Sequence, residues 1–207
     1  MKPIPLICLF SVMGSLSLLA EEENGGLFEQ LDKQSRGGLM KGETVILPHR
    51  PDKELKKEPD PRFVTVARLV HGDRETIWEV INDKEDAEHF LDGVMESRVL
   101  EQSEAHIVVE QRTHVGGPKG DYLYKIRHDL TPMQRADFSY IEGEIRNIVG
   151  SWWIADCPKP EHHLLIYSLH IDPGFYAPQF IVKRGMKKTM PKTIQSIERE
   201  VRRRMEE

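Results

Sequence analysis

The chain has 207 residues, 39% of them hydrophobic and 30% charged, which suits a soluble globular protein with one ordinary domain and an extension. A formal net charge of −5 gives no bulk electrostatic drive toward nucleic acid, so no nucleic-acid partner is expected. The only cysteines are Cys8 and Cys157; the first falls in an N-terminal apolar run, so no intrachain disulfide is expected and the core alone must hold the domain.

After Met1 and Lys2 comes the apolar run PIPLICLFSVMGSLSLLA, followed by acidic EEENGG. A basic start, an apolar centre and a small residue before a polar stretch describe a secretory signal peptide. Residues 1–20 are read as that signal, cut after Ala20, and the mature protein as periplasmic or secreted. An uncleaved anchor is the competing reading, since about 17 apolar residues is the short limit for a bilayer span. Residues 21–61 read as an N-terminal extension and linker. A possible short strand, Thr44–Leu47, interrupts them, and the charged, proline-punctuated PDKELKKEPDPR reads as linker.

From Arg62 to Glu207 the pattern is that of one domain. RFVTVARLV is β-branched and reads as a strand. HGDRETIWEVIND then changes period: Asp73 is a candidate N-cap, and Ile77, Trp78 and Ile81 recur at helical spacing. A second short helix, KEDAEHFL, runs to the Asp92-Gly93 turn. Six strand candidates follow: VMESRVLEQ, AHIVVEQRTHV, DYLYKIRHDL, RADFSYIEG, RNIVGSWWIADC and HHLLIYSLHID. In two of them the alternation is clean. Ile107, Val109, Gln111 and Thr113 oppose His106, Glu110, Arg112 and His114, while Tyr122, Tyr124, Ile126 and His128 oppose Asp121, Lys125, Arg127 and Asp129. One charged and one apolar face is what an antiparallel sheet with one solvated side requires. The C-terminal segment is helical, with Val182, Met186, Met190, Ile194, Ile197, Val201 and Met205 three or four apart. Pro191 is expected to kink that helix or start a second one.

This order resembles the START-like, helix-grip superfamily, which includes polyketide cyclase/dehydrase-type and coenzyme-Q-binding proteins. ETIWEVINDKEDAEHFLDGVMESRVLE is similar to the family's first helices and second strand, Gly150-Ser-Trp152 to its G-x-W strand, and Pro178 to Arg204 to its closing helix. The resemblance implies an α+β fold: a curved antiparallel sheet of about seven strands wrapped around a long C-terminal helix, with two short helices after the first strand. It also implies an apolar cavity between sheet and helix; a filled core remains the alternative from the residues alone. Expected lining residues are Tyr122, Tyr124, His128, Phe138, Tyr140, Trp152, Met186, Met190 and Ile194, with Trp152 inward and Trp153 covering the outside. The implied partner is a hydrophobic small molecule or lipid, bound without a cofactor.

No residue is assigned a catalytic or metal-binding role. Adjacent His162 and His163 point to opposite strand faces, and His170 lies about 26 Å further along an extended strand. His106, Glu110 and His114 repeat at about 13 Å, too long for common ligation. Cys157 lacks a matched His/Asn motif, and GGPKG at 116–120 is a glycine-rich hairpin connection without a following helix or the P-loop GK[ST]. Three functional readings stand at this point: a non-catalytic carrier or sequestering protein, an aromatase/cyclase-like enzyme, and an interaction module with a filled core. Lys183, Arg184, Lys187, Lys188, Lys192 and Arg202–Arg204 give the last helix a basic face, suited to a solvated surface or to transient contact with anionic lipid.

Overall fold

The structure, a computed structural model, describes residues 26–48, 62–116, 120–174 and 178–207. The expected signal over 1–20, most of the linker and the centre of the GGPKG connection lie outside the described residues. Eight strands form one sheet: β1 Val45–Leu47, β2 Val64–His71, β3 Val94–Gln102, β4 His106–Gly116, β5 Gly120–Thr131, β6 Arg135–Gly143, β7 Asn147–Asp156 and β8 His162–Asp172. Their order is β1-β2-β8-β7-β6-β5-β4-β3, and every pairing is antiparallel. Among the described residues five helices accompany them: α1 Leu27–Gln30, α2 Lys33–Met40, α3 Arg74–Asn82, α4 Ala87–Phe90 and α5 Gln179–Met205.

From β3 to β8 consecutive strands follow one another through short connections, whereas α3 and α4 lie between β2 and β3. On β7, Ile148, Trp152 and Ile154 join the inner cluster, while Trp153 and Ala155 join the outer one. Register shifts in the β3–β4, β4–β5 and β5–β6 ladders are bulges, which bend a strand and increase local twist. The sheet therefore has a concave face, and α5 packs there against β2, β8, α3 and α4.

The Asp73 cap is present: Thr76 N–H donates to Asp73 Oδ1 at 2.8 Å and the Thr76 hydroxyl to Oδ2 at 2.9 Å. These bonds hold the Asp73 carboxyl below its ordinary range. Ile77, Val80 and Ile81 are the buried stripe of α3. Two expectations need correction. No second helix starts at Pro191, which lies inside one continuous helix; it removes a single i→i−4 donor, and Met186, Met190, Ile194, Ile197 and Val201 are buried on both sides of it. The N-terminal extension, read as polar with one short strand, also carries α1 and α2. Their Leu27, Phe28 and Leu39, with Leu47 of β1, cover the convex face over Leu69, Ala155, Leu164 and Ile166. Trp153 packs against this outer cluster and lies under the Arg135 guanidinium at 4.1 Å. Arg68 of β2 ties the layers together, donating to Glu198 of α5 at 2.8 Å and to the Gly42 carbonyl at 2.8 Å.

The end of α5 is anchored by charge. Glu200 accepts from Arg203 Nη2 at 2.7 Å and from Arg204 Nε at 2.8 Å, while Arg204 Nη2 donates to Asp83 Oδ2 at 2.5 Å. The Arg203 hydrogen bonds foremost hold the Glu200 carboxyl down at about 2. A depressed folded-state pKa contributes stability that is complete above the ordinary glutamate value and is lost as pH falls toward 2. Glu200→Gln is accordingly expected to cost about 2 kcal/mol at pH 7 and to flatten the acid limb of stability between pH 4.5 and 2. Urea unfolding across that range reads both effects; an unchanged acid limb would show that Glu200 is not the linked group.

Candidate functional site

A cavity of about 690 Å³ lies between the concave sheet face and α5, within the usual size of small-molecule sites. Its floor comes from the inward positions of β4 to β8, among them Ile126, Phe138, Trp152 and Leu169. Its roof is α5, through Val182, Met186 and Met190, and one end is closed by the segment from Val80 through Leu91. Methionine is unbranched and polarizable, so this roof can conform to an irregular apolar surface.

Aromatic stacking shapes the floor. Trp152 and Tyr167 face one another across the β7–β8 ladder and stack at 3.9 Å with planes 6° apart. Phe138 is tilted 45° against His128 at 5.5 Å and 39° against Tyr167 at 6.4 Å. Gly150 makes this packing possible, because a Cβ there would sit 2.3 Å from Phe138 Cζ and 2.2 Å from the Ser168 carbonyl.

The polar groups collect toward the α3–α4 end. His128 is 3% exposed, and neither ring nitrogen has a hydrogen-bond partner among the described residues. Burial, reinforced by the neighbouring Lys84 charge, pushes its pKa well below the usual histidine value, so the ring is neutral at physiological pH. Lys84 is buried too, and burial lowers its ammonium to about 7 despite the opposing field of Asp83. Gln111 Nε2 donates to Ser97 Oγ at 3.1 Å, and Ser97 Oγ donates to the Lys84 carbonyl at 2.5 Å. Tyr124 OH pairs with Thr113 Oγ1 at 2.8 Å. Burial raises the phenols of Tyr124 and Tyr167, so both remain neutral donors or acceptors.

Of the nine expected lining residues, Tyr124, His128, Phe138, Trp152, Met186 and Met190 line the cavity, and Tyr122, Tyr140 and Ile194 do not. Tyr122 shares its strand face with Tyr124 but is buried in the core. Tyr140 is partly buried against that core and donates its hydroxyl to the Gly143 carbonyl at 3.0 Å. Ile194 is fully buried between the turns that carry Met190 and Ile197. Three residues that matter were missed. Tyr167 sits in LLIYSLHI, where both faces are apolar, and only pairing it with Trp152 through the hairpin would have found it. Gln111 was on the apolar face as an unremarked polar member. Lys84 lies in the charged run NDKEDAE, which reads as solvated.

Most other candidate groups are accounted for locally, although His170 is buried with no hydrogen-bond partner for its Nδ1 among the described residues. His162 Nδ1 lies 2.7 Å from the Pro160 carbonyl, and His163 Nδ1 lies 3.0 Å from that of Gly72. His106 pairs with Glu101 at 2.7 Å, Glu110 with Arg98 at 2.8 Å, and His114, at the cavity rim, with Asp121 at 2.6 Å. The Cys157 thiol donates to the His162 carbonyl at 3.2 Å, and burial pushes its pKa up, away from nucleophilic character. Among the described residues no group of three or more His, Cys, Asp or Glu is placed to hold a metal ion.

The fold can now be set beside known proteins. The Zhui aromatase/cyclase from Streptomyces sp. R1128 superposes with a TM-score of 0.58 at 16% identity, over 70% of this chain and 95% of that one. A STAR-related lipid transfer protein from Xanthomonas axonopodis gives 0.60 at 11% identity, over 77% and 92%. Human StAR-related lipid transfer protein 5 gives 0.59 at 14% identity, over 90% and 98%. No curated protein matches in sequence. At these identities the superpositions establish the helix-grip architecture alone. The family model described as "Polyketide cyclase / dehydrase and lipid transport" matches residues 70–198, a span that runs from the end of β2 into α5 and holds every inward strand position named above; the chain belongs to that family.

Proposed function

We propose that this protein is an exported, non-catalytic carrier that sequesters one hydrophobic small molecule or lipid between its sheet and α5. The cavity of about 690 Å³ beneath the Met186–Met190 roof is the observation that carries the reading. Affinity comes from apolar burial, about 25 cal/mol per Å² removed from water. Export rests on the signal-like residues 1–20, and mass analysis of protein recovered from a bacterial periplasm should find a chain beginning at Glu21.

Exchange takes place at the first turns of α5. Ile181 lines the cavity yet is 53% exposed, and the adjacent Phe180 is 70% exposed. Arg184, Lys187 and Lys188 are exposed on the same segment. An apolar pair beside a basic cluster suits brief docking on an anionic lipid surface. The test is transfer of a fluorescent single-chain lipid between vesicles. The protein should accelerate transfer, more so with phosphatidylserine present, and Phe180→Glu should slow it severalfold without unfolding the domain. Transfer at the uncatalysed rate for every lipid would sink the carrier reading.

A second reading, an aromatase/cyclase-like enzyme, draws support from Lys84 and His128 reaching the same cavity. It is the weaker one. An acid–base catalyst works best with a pKa near the operating pH and a second group to orient it; Lys84, at about 7, meets the first condition, but His128 is held far below its usual value and has no hydrogen-bonded partner among the described residues.

A further inference from the structure

From the donors gathered at the α3–α4 end of the cavity we infer that the ligand is an amphiphile with a carboxylate head, held by Lys84 Nζ, with the His128 ring and the Gln111 amide as supporting donors. This inference rests on the carrier reading and specifies its ligand class.

The donor inventory at that end is unbalanced. As an ammonium, Lys84 Nζ offers three N–H bonds, of which the Ile81 carbonyl takes one. Gln111 Nε2 uses one of its two on Ser97 Oγ. The neutral His128 ring carries one N–H and uses none. All three side chains line the cavity, and all three are at least nine-tenths buried. A buried donor without an acceptor costs about 1–3 kcal/mol, more when it is charged. A carboxylate has acceptors only, with about four lone-pair positions, and so complements this set. A hydroxyl head could also pair here, because the second His128 ring nitrogen is an unpartnered acceptor, but it would bring no charge to offset that of Lys84.

The charge balance points the same way. Asp83 is the carboxylate whose field supports the Lys84 charge, but it is engaged by Arg204. The other ionisable groups facing the cavity are His128 from β5, Asp92 from the turn before β3, His114 at the end of β4 and Lys192 from α5, with the phenols of Tyr124 and Tyr167. Of these, His114 is paired with Asp121 and Asp92 lies 3.9 Å from Arg199. When protonated, Lys84 is thus a buried cation with no dedicated counter-ion among the described residues, which a ligand carboxylate would provide. The rest of the cavity, from Ile126 to the α5 methionines, is apolar and takes the chain.

The sign of the proton linkage follows. Free Lys84 titrates near 7, so at pH 8 it is mostly neutral; a bound carboxylate raises that value and draws a proton onto the amine. Carboxylate binding at pH 8 therefore takes up protons, and binding of an uncharged analogue does not.

The experiment is isothermal titration of the full chain at pH 8 with palmitate, hexadecanol and hexadecyl phosphate, in two buffers of different ionisation enthalpy. Palmitate should bind about tenfold or more tighter than hexadecanol and with a fraction of a proton taken up. Lys84→Met, which keeps the aliphatic stem, should bring palmitate down to the level of hexadecanol and abolish the uptake. Equal affinity for palmitate and hexadecanol, or palmitate binding without proton uptake, would overturn the inference while the cavity still binds a chain. Tighter binding of the phosphate than of palmitate would overturn the carboxylate assignment. Binding of none of the three would overturn this inference and remove support from the carrier reading. Because proton uptake is measured on the unmodified protein, a Lys84→Met variant that fails to fold leaves the test intact.

Discussion

Replacing Gly150 with alanine is expected to lower stability by about 3 kcal/mol, the upper part of the usual range for overpacking. For a domain of this size that corresponds to a fall in melting temperature of roughly 6–12 °C. A Cβ at Gly150 would stand 2.3 Å from Phe138 Cζ and 2.2 Å from the Ser168 carbonyl. The ring can swing away; the carbonyl cannot move without opening the β7–β8 ladder, in which Gly150 faces Leu169. Phe138→Ala is itself expected to cost about 3–5 kcal/mol, so the double variant should lose less than the sum of the two single losses, a non-additivity expected of residues in contact. Melting curves of the two single variants and the double variant decide it. A Gly150→Ala protein as stable as the parent would show that β7 is not pinned by this contact.

The second large effect is on binding rather than folding. Ile126→Trp places a bulkier side chain at an inward position of β5, between Tyr124 and His128, where the cavity offers room. Filling it should reduce affinity for any chain-like ligand by about tenfold or more, as lost burial of a few methylenes at about 0.8 kcal/mol each implies. Stability should change by about 1–3 kcal/mol at most. Outward Arg127, which pairs with Asp129 at 2.7 Å, is the matched control: Arg127→Trp should leave binding unchanged. Equal loss of binding in both variants would place the ligand away from the concave face.

Much of the architecture was legible because burial and period agree. The inward Val109 and Gln111 of β4 and Tyr124, Ile126 and His128 of β5 alternate with charged residues on the opposite side, and the methionine stripe of α5 marks its buried face. Legibility failed where local sequence and tertiary placement conflict. The segment LFEQLDKQSRGGLM has two central glycines and a weak apolar pattern, so α1 and α2 owe their existence to docking of Leu27, Phe28 and Leu39 on the convex face. Strand β8 is apolar on both sides because the outer layer covers it, which hid Tyr167.

The cavity itself illustrates a further limit. Parity correctly put Tyr122 and Tyr124 on one face, but whether an inward residue lines a void or fills the core depends on where α5 crosses. No strand pattern records that. Lys84 was hidden for the opposite reason: flanked by Asp83, Glu85 and Asp86, it looks like any solvated lysine, and only the fold reveals that it is buried against the cavity.

Native followed by denaturing mass spectrometry, on protein purified without detergent, tests most directly whether the space beneath α5 is a ligand site. An extractable hydrophobic species bound near one-to-one is the expected result, and its mass would identify the class. An apo mass, together with a melting temperature that no member of an added fatty-acid and lipid panel raises, would contradict it.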